Sequence, residues 1–401
     1  MTTLLVVGSG LAGLSAVRAA RGLGFDGTIR VLGAEPGRPY DRPPLSKDYL
    51  AGRVGAADLG LDAPAEDLGA EWLTGSAASL EPDRVVTTTD GRRLAADLVV
   101  LGTGARARVL PQLPHACENV VVLRTREDAD RLRAELVAGR HLVVVGAGLI
   151  GCEVAATASD LGCTVTLLTP EDVPLARVVG SLAPRVLDLH TRRGVGVRTG
   201  VGVAGAVVVD DRVTALRLDD GEEIAADVVL VAVGAAPETE WLQGAGLDLG
   251  DGVCCDATGR VLADGAAVPG LAAVGDCAAW WDPHLGRHHR TQHWTDALER
   301  PGLAVAALLG VAAPARRPYL PYFWSDQHGH RLQVAGYPSL ADAVELETDL
   351  GEQGLLGVYR RAGEPVAVLS LDRPREFVRW RKTLVSSLGQ RPENLAEGAA
   401  A

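Results

Sequence analysis

Two glycine-rich segments of this chain have the spacing that holds the pyrophosphate of a bound dinucleotide. They occupy residues 8–13 and 146–151, and each has glycine at its first, third and sixth positions. The first glycine makes a tight turn, the second lets the backbone approach the phosphates, and the third lets the next helix pack on the preceding strand. The N-terminus of that helix then faces the phosphate charge. The repeat therefore predicts two dinucleotide sites.

The residues around each glycine segment predict the elements that position it. Four apolar residues precede each copy, at 4–7 and 142–145, and an alanine-rich stretch follows. Such short apolar runs are typical of buried parallel strands, and their alternation with helices indicates an α/β fold. We therefore predict two Rossmann-like dinucleotide-binding units. From about residue 316, aromatic residues and alternating apolar positions predict instead a C-terminal α+β domain with antiparallel strands.

A Rossmann unit also places an acidic residue at the end of its second strand, where it holds a ribose. Glu35 meets this expectation in the first copy. In the second copy Thr169 stands in its place, and Glu171 and Asp172 follow two and three residues later. No arginine follows closely enough in the sequence to favour the 2′-phosphate of NADPH, so we favour NADH.

Length and composition exclude several classes of function. The 401 residues suggest two or three domains, and the net charge of −12 disfavours nucleic acid or an anionic membrane as the main partner. No apolar run is long enough for a membrane span, and the first twenty residues do not have the pattern of a signal peptide. The cysteine and histidine spacings predict no metal site and no redox disulfide. A cytoplasmic chain with reduced thiols is the expectation.

Further motifs resemble the flavoprotein pyridine-nucleotide reductases, and within them the ferredoxin-reductase branch. These motifs lie at residues 40–47, 275–276, 321–327 and 372–377, the last with Asp372 where the family has asparagine. The resemblance implies an FAD-binding domain over residues 1–108 and 236–315. It also implies an NAD(P)H-binding domain inserted at 109–235 and a C-terminal interface domain over 316–401. Pro301 predicts an interruption of the helix that the family has after Trp294.

The resemblance also implies the residues that contact the two cofactors. At FAD it places Gly8, Gly10, Ala12, Gly13, Glu35, Arg42, Lys47, Ala78, Thr103, Gly104, Arg124, Asp276, Trp294 and Trp324. At the nicotinamide nucleotide it places Gly146, Gly148, Gly151 and Gly234.

Lys47 and Glu153 are the two residues to which we assign a catalytic role. Lys47 is one of only two lysines in the chain, and the resemblance places its ammonium near the flavin, paired with the Glu153 carboxylate. The alternative is a solvated lysine and a glutamate that is favoured only by the dipole at its helix N-terminus.

The resemblance implies NAD(P)H:ferredoxin oxidoreductase activity. A hydride would pass to FAD and single electrons to an acidic iron–sulfur ferredoxin that serves a cytochrome P450 or an oxygenase. Two alternatives stay open, a reductase of rubredoxin, quinone or dioxygen and a slow redox-sensing flavoprotein. An acidic partner requires a local arginine patch, although these arginines could equally form a solvated face. The candidates are Arg287, Arg290, Arg316, Arg317, Arg373, Arg375, Arg379 and Arg381.

We predict that Thr169→Glu increases the preference for NADH, because a carboxylate at this position accepts hydrogen bonds from the ribose hydroxyls and repels a 2′-phosphate. The measurement is the ratio of kcat/KM for NADH to that for NADPH in the variant and the parent enzyme. An unchanged ratio would show that residue 169 does not face the ribose.

Overall fold

The structure is a computed structural model that describes residues 2–61, 68–313 and 319–389. Its elements form two sheets with parallel cores, one antiparallel sheet and three small antiparallel groups of strands. Within the described ranges, no helix has the length and apolar character needed to cross a membrane.

The first sheet begins with the N-terminal strand and the first glycine turn. Its early elements and the neighbouring small strands are β1 (Thr3–Val7), α1 (Leu11–Gly22), β2 (Thr28–Gly33), β3 (Ala70–Thr74), β4 (Ala77–Leu80), β5 (Val85–Thr88), β6 (Arg93–Ala95), β7 (Leu98–Leu101) and β8 (Ala105–Ala107). Strands β3, β2, β1 and β7 pair in parallel in that order. The apolar side chains of the central strand β1 are fully buried, as at Leu4 and Val6, which explains its continuous apolar sequence.

A second parallel sheet is built from the middle of the chain. The elements there are β9 (Val120–Val121), α2 (Arg126–Glu135), β10 (His141–Val145), α3 (Leu149–Asp160), β11 (Thr164–Leu168), α4 (Ala176–Val179), α5 (Ala183–Arg192), β12 (Gly196–Arg198), β13 (Val203–Val209), β14 (Arg212–Leu218), β15 (Glu223–Ala225), β16 (Val228–Val231) and β17 (Ala235–Pro237). Strands pair in the order β12-β11-β10-β16-β9, and β13 to β15 form an antiparallel group beside them. The predicted α/β fold with two glycine-turn units is confirmed.

The chain then returns to the first sheet. The elements are β18 (Leu249–Gly250), β19 (Gly252–Cys255), β20 (Arg260–Ala263), β21 (Ala266–Ala273), β22 (Ala278–Asp282), β23 (Arg287–His289) and α6 (Trp294–Leu309). Strand β21 pairs in parallel with β7, and α6 packs against α1. The interruption predicted at Pro301 is wrong, because α6 runs through this residue. The close packing of α6 against α1 and β21 holds it helical despite the missing N–H.

The C-terminal sheet is antiparallel throughout and is covered by one helix. Its elements are β24 (Tyr322–Gln327), β25 (His330–Gly336), β26 (Ala343–Asp349), β27 (Leu355–Arg361), β28 (Glu364–Leu371) and α7 (Pro374–Gly389). The strand order is β24-β25-β28-β27-β26, with α7 against β28. The domain limits at residues 108, 236 and 316 stay predictions, although β8 pairs with β17 beside the first two.

A buried ion pair within α6 contacts Tyr319, in the segment that precedes the C-terminal sheet. The guanidinium of Arg300 lies 3.9 Å from the Asp296 carboxylate, and both residues are less than 10% exposed. Asp296 also accepts a hydrogen bond of 2.8 Å from the Tyr319 hydroxyl, whose ring lies 4.0 Å from the guanidinium carbon. Burial raises the pKa of Asp296, and the positive charge of Arg300 opposes that rise. The arginine therefore favours the ionised form of the carboxylate, which burial disfavours.

We predict that Arg300→Met lowers the free energy of unfolding by about 3–5 kcal/mol, because it leaves the Asp296 carboxylate buried without a cation. Denaturant unfolding followed by tryptophan fluorescence measures the loss. Arg260→Met is the matched control, since Arg260 pairs with Asp256 at the surface with half of its side chain exposed, and it should cost about 0–1 kcal/mol. Equal losses in both variants would contradict the prediction.

Candidate active site

A cavity of about 490 Å³ lies at the carboxyl ends of the parallel strands of the first sheet. This is the edge at which open α/β sheets bind their ligands. Its walls include the predicted residues Gly8, Gly10, Ala12, Glu35, Arg42, Thr103, Gly104, Arg124, Asp276 and Trp294. Ten of the fourteen positions that the resemblance places at FAD therefore surround one space, although they come from distant parts of the chain.

The first glycine turn has the shape that a pyrophosphate requires. Gly8 has φ +121°, and a Cβ there would lie 2.0 Å from the carbonyl oxygen of Gly102. At Gly10 a Cβ would meet no atom within 4 Å, so this glycine borders open space. Gly13 does not line the cavity, and a Cβ there would meet the Gly8 carbonyl oxygen at 1.9 Å. It permits the helix to pack closely on the turn, as the spacing predicts.

Glu35 stands at the end of β2, where the ribose of the first nucleotide is expected. Arg42 Nη2 lies 2.5 Å from one carboxylate oxygen of Glu35, and the Tyr40 hydroxyl donates to the other at 2.5 Å. Burial raises the pKa of Tyr40 to about 12, so the phenol keeps its proton. The carboxylate is thus held in place by two donors and retains free lone pairs for a ribose.

Opposite the glycine turn, charged groups from three segments meet. The Arg124 guanidinium pairs with the Asp276 carboxylate at 2.8 Å, and its backbone carbonyl accepts a hydrogen bond of 2.6 Å from Arg42. The Thr103 hydroxyl donates to the Glu238 carbonyl at 2.6 Å. These contacts fix the part of the wall at which the resemblance places the ribitol chain of FAD.

The tryptophans predicted at the flavin occupy different positions. Trp294 lines the cavity and donates its Nε1–H to Asp41 at 2.7 Å. Trp324 does not line it, and its ring instead contacts that of Trp294 at a centroid distance of 5.9 Å. Ala78 also lies outside the lining and is exposed, while Ala77 faces the cavity. The two alanines differ because successive residues of β4 point to opposite sides.

Lys47 and Glu153 meet behind the cavity wall rather than in it. Lys47 Nζ lies 2.6 Å from Glu153 Oε2, with the two side chains 14% and 7% exposed. The Ser46 hydroxyl donates to the same oxygen at 2.6 Å, and the Ser325 hydroxyl donates to Oε1 at 2.6 Å. The predicted pair is therefore present and buried, and the solvated alternative is wrong. Its role beside a flavin stays a prediction.

The second glycine turn repeats the geometry of the first. Gly146 has φ +109°, and a Cβ there would lie 2.4 Å from the carbonyl oxygen of Ala232. Gly148 borders open space, and a Cβ at Gly151 would meet the Gly146 carbonyl oxygen at 2.1 Å. Gly234 has φ +97° and follows β16, the strand that pairs with β10. The second turn can therefore cradle a second pyrophosphate.

The surroundings of Thr169, the position predicted at the coenzyme ribose, differ from the sequence-based expectation in one respect, which is the presence of an arginine. Thr169 is only 3% exposed, and its N–H donates to the Arg198 carbonyl oxygen at 3.0 Å. Arg198 is therefore close in space although 29 residues separate the two in the sequence. Its guanidinium pairs with Glu222 at 2.8 Å, and Glu171 pairs with Arg177 at 3.4 Å. An arginine is thus present at this end of the second sheet.

Sequence reasoning missed several residues of the cavity wall. Trp241, Gln292 and His293 line it and come from turns that carry no motif of their own. His293 is half-buried, and its buried Nδ1 has no hydrogen-bond partner among the described residues. Burial lowers the pKa of His293 to about 4, so its ring is neutral. Only the position of these residues beside Trp294 and Asp276 could have pointed to them.

All six cysteines of the chain carry free thiols. Cys152, which follows the second glycine turn, is fully buried, and burial raises its pKa to about 12. Among the described residues, no group of three or more potential ligands is arranged to hold a metal ion.

Two parallel sheets, each with a glycine turn at its carboxyl edge, define an oxidoreductase that handles two dinucleotides. The chain belongs to the family described as pyridine nucleotide-disulphide oxidoreductase, which it matches over residues 2–307, and residues 322–401 match the reductase C-terminal family. FAD and NAD(P)H are the cofactors of this class, and the glycine cradles and the open space at Gly10 and Gly148 fit them.

Similar proteins place the chain more closely within this class. It is 36% identical to the ferredoxin reductase component of chlorobenzene dioxygenase from Cupriavidus sp. (strain PS12), in a match that covers 99% of this chain and 95% of the relative. Putidaredoxin reductase CamA from Pseudomonas putida is 34% identical, with 98% and 94% covered. The crystal structure of a covalent putidaredoxin reductase–putidaredoxin complex superposes with a TM-score of 0.90 at 33% identity, with 96% and 93% covered.

We predict that Lys47→Ala slows reduction of the bound flavin by about tenfold or more, equal to about 1.4 kcal/mol of lost transition-state stabilisation. The variant removes the cation of the pair and leaves the Glu153 carboxylate unneutralised behind the cavity wall. Anaerobic stopped-flow absorbance after mixing with NADH measures the rate. Lys382→Ala, at the only other lysine, is exposed on α7 and should leave the rate unchanged. A normal rate in Lys47→Ala would contradict the placement.

Proposed function

We propose that this protein is an FAD-dependent NAD(P)H:ferredoxin oxidoreductase. The observation that carries this proposal is the cavity at the first glycine turn, with the buried Lys47–Glu153 pair joining it to the second glycine-turn unit. FAD, when bound, accepts a hydride from a nicotinamide nucleotide and gives up its electrons one at a time. The protein therefore has to align two cofactors and tune the charge around them.

Different residues of the cavity would bind different parts of FAD. The first glycine turn and the N-terminus of α1 would bind the pyrophosphate, and Glu35 would accept the adenosine ribose hydroxyls. The paired Arg124 and Asp276 would hold the ribitol side. Lys47 would present its ammonium behind the flavin, held at a fixed position by Glu153.

For the second nucleotide we propose NADH as the preferred coenzyme. The arginines near Thr169 are both committed to carboxylates, Arg198 to Glu222 and Arg177 to Glu171. A 2′-phosphate would therefore have to displace a carboxylate from an ion pair, whereas ribose hydroxyls would not.

Electrons would leave toward the C-terminal sheet. Rings connect the cavity to the surface in the order Trp294, Trp324 and Tyr322, with successive centroids 5.9 and 6.1 Å apart. The guanidinium of Arg381 on α7 lies 4.6 Å from the centroid of the Tyr322 ring. Helix α7 would bind an acidic iron–sulfur ferredoxin, which in turn would serve a cytochrome P450 or an oxygenase, as in the systems of the relatives.

The surroundings of the candidate arginines support a docking role for some of them and not for others. Arg290 is 5% exposed at its side chain and pairs with Asp251, so it is a structural residue. Arg373 pairs with Glu376 on the first turn of α7. Arg316 and Arg317 lie outside the described residues. Arg375 and Arg379 are exposed on one face of α7, and Arg379 lies 3.7 Å from Glu347. Arg381 lies on nearly the opposite side of the helix, because two residues turn an α-helix by about 200°. We assign the docking role to Arg375 and Arg379.

We also propose a cytoplasmic location. The six free thiols, most of them buried, support this assignment because such cysteines are typical of reducing compartments.

An anaerobic titration of the purified protein with NADH and then NADPH tests the proposal. We expect the visible flavin absorbance to bleach with one equivalent of NADH, and an added [2Fe–2S] ferredoxin then to support steady turnover. A yellow protein that neither coenzyme reduces quickly would instead indicate a redox sensor. Fast reduction without transfer to ferredoxin would indicate another acceptor. A colourless protein that FAD does not reconstitute would overturn the assignment.

We predict that the double variant Arg375→Glu, Arg379→Glu raises the KM for an acidic ferredoxin about tenfold and weakens its dependence on ionic strength, because steering by opposite charge is lost. Ferredoxin-dependent turnover at increasing salt measures both effects, and the rate of flavin reduction by NADH should not change. Arg93→Glu, at an exposed arginine on β6, is the control. If the control variant has the same effect, net charge rather than α7 is responsible.

A further inference from the structure

A continuous chain of buried polar side chains runs from Glu153 into the C-terminal sheet and on to α5. The Ser325 hydroxyl contacts Glu153 Oε1 at 2.6 Å, and Gln327 Nε2 contacts Ser325 Oγ at 3.0 Å. Gln327 Oε1 lies 2.9 Å from His190 Nε2, and His190 Nδ1 lies 3.1 Å from His328 Nε2. These residues are at most 5% exposed, so water does not compete for the hydrogen bonds.

The chemistry of the groups permits only one direction for the hydrogen bonds. An ionised carboxylate only accepts, so the single proton of the Ser325 hydroxyl must point to Glu153. The Ser325 oxygen then accepts from the amide nitrogen of Gln327, which leaves the amide oxygen to accept from His190 Nε2–H. A neutral His190 consequently has a bare Nδ1, and this nitrogen accepts from His328 Nε2–H. Every donor therefore points toward Glu153.

The far end of the chain agrees with this direction. The direction requires a neutral His328 to carry its proton on Nε2, so that Nδ1 is a bare lone pair. His328 Nδ1 is buried and has no partner among the described residues. Burial lowers the pKa of His190, and it lowers the pKa of His328 to about 4. A protonated His328 would also be repelled by Arg193 and by the protonated forms of His190 and His330. Both rings are therefore neutral near pH 7.

A hydrogen-bond chain of one direction withdraws negative charge from the carboxylate at its end, and its members strengthen one another. The Glu153 oxygen that faces Ser325 would be stabilised by this chain, and the carboxylate would neutralise the Lys47 ammonium less completely. The electrostatic potential behind the cavity would then be more positive, which favours an anionic reduced flavin.

We propose that Ser325, Gln327 and His190 are positioning residues that raise the reduction potential of the flavin through Glu153 and Lys47. None of the three lines the cavity, so they act only through the carboxylate. The inference rests on the proposed function, because it requires FAD in the cavity.

The decisive variant is Gln327→Met, which keeps the size of the side chain and removes its donor without touching Lys47 or Glu153. We expect the equilibrium constant for two-electron reduction of the flavin to fall about three- to tenfold, or about 15–30 mV in midpoint potential. Ser325→Ala should produce a larger fall. The measurement is an equilibrium reduction against a reference dye under anaerobic conditions, which does not depend on turnover or on a ferredoxin.

Ser370→Ala is the matched control, because Ser370 is an equally buried serine of the same sheet outside the chain. Its potential should equal that of the wild type, even if its stability is lower. An unchanged potential in Gln327→Met, or an equal shift in Ser370→Ala, would overturn the proposal.

A second measurement tests the chain without the flavin. In the wild-type protein labelled with ¹⁵N at histidine, we expect neutral Nε2–H tautomers for both His190 and His328 at pH 7, assigned by loss of signals in His190→Phe and His328→Phe. A proton on Nδ1 of His190 would overturn the proposed direction. A protein that lacks flavin absorbance would count against the proposed function, while the tautomers would still decide the direction of the hydrogen-bond chain.

Discussion

The buried carboxylate of Glu153 is the constraint on which the relative placement of the three sheets depends. It belongs to α3 behind the second glycine turn, yet its donors come from the Ser46–Lys47 turn of the first unit and from Ser325 on β24. A buried charge is tolerated only when it keeps its partners, and the loss of one costs several kcal/mol. Because no unit can shift without breaking such a contact, this one charge holds the two nucleotide units and the C-terminal sheet in register.

The two glycine turns give the molecule two similar units, one for each dinucleotide. Each turn ends a fully buried strand and starts a helix, so two helix N-termini provide the electrostatics that two pyrophosphates need. The third sheet adds what the turns lack, which is an aromatic contact to Trp294 and a cationic helix at the surface. Catalysis in such a molecule is mainly a matter of placement, since the cofactors supply the reactive atoms.

Local patterns in the sequence predicted the glycine turns, their strands and Glu35, because strand, turn and helix are contiguous and their residues act together. The Lys47–Glu153 pair was accessible only through resemblance to a family, since 106 residues separate its members. The roles of His190 and Gln327 were not found. A buried histidine without a motif resembles an ordinary core residue, and the motif at 321–327 gave Gln327 no role of its own. Pro301 was misjudged because tertiary packing decides whether the helix continues, and strand alternation explains why Ala77 rather than Ala78 faces the cavity.

The short pairing of β8 with β17 brings together the two ends of the segment that contains the second parallel sheet. These strands are the last residues before the second parallel sheet and the first after it, and they lie side by side in antiparallel register. A segment whose two ends adjoin can be removed or replaced without stretching the part that stays behind. The segment between β8 and β17 can therefore be exchanged, by evolution or by engineering, while the cavity at the first glycine turn remains intact.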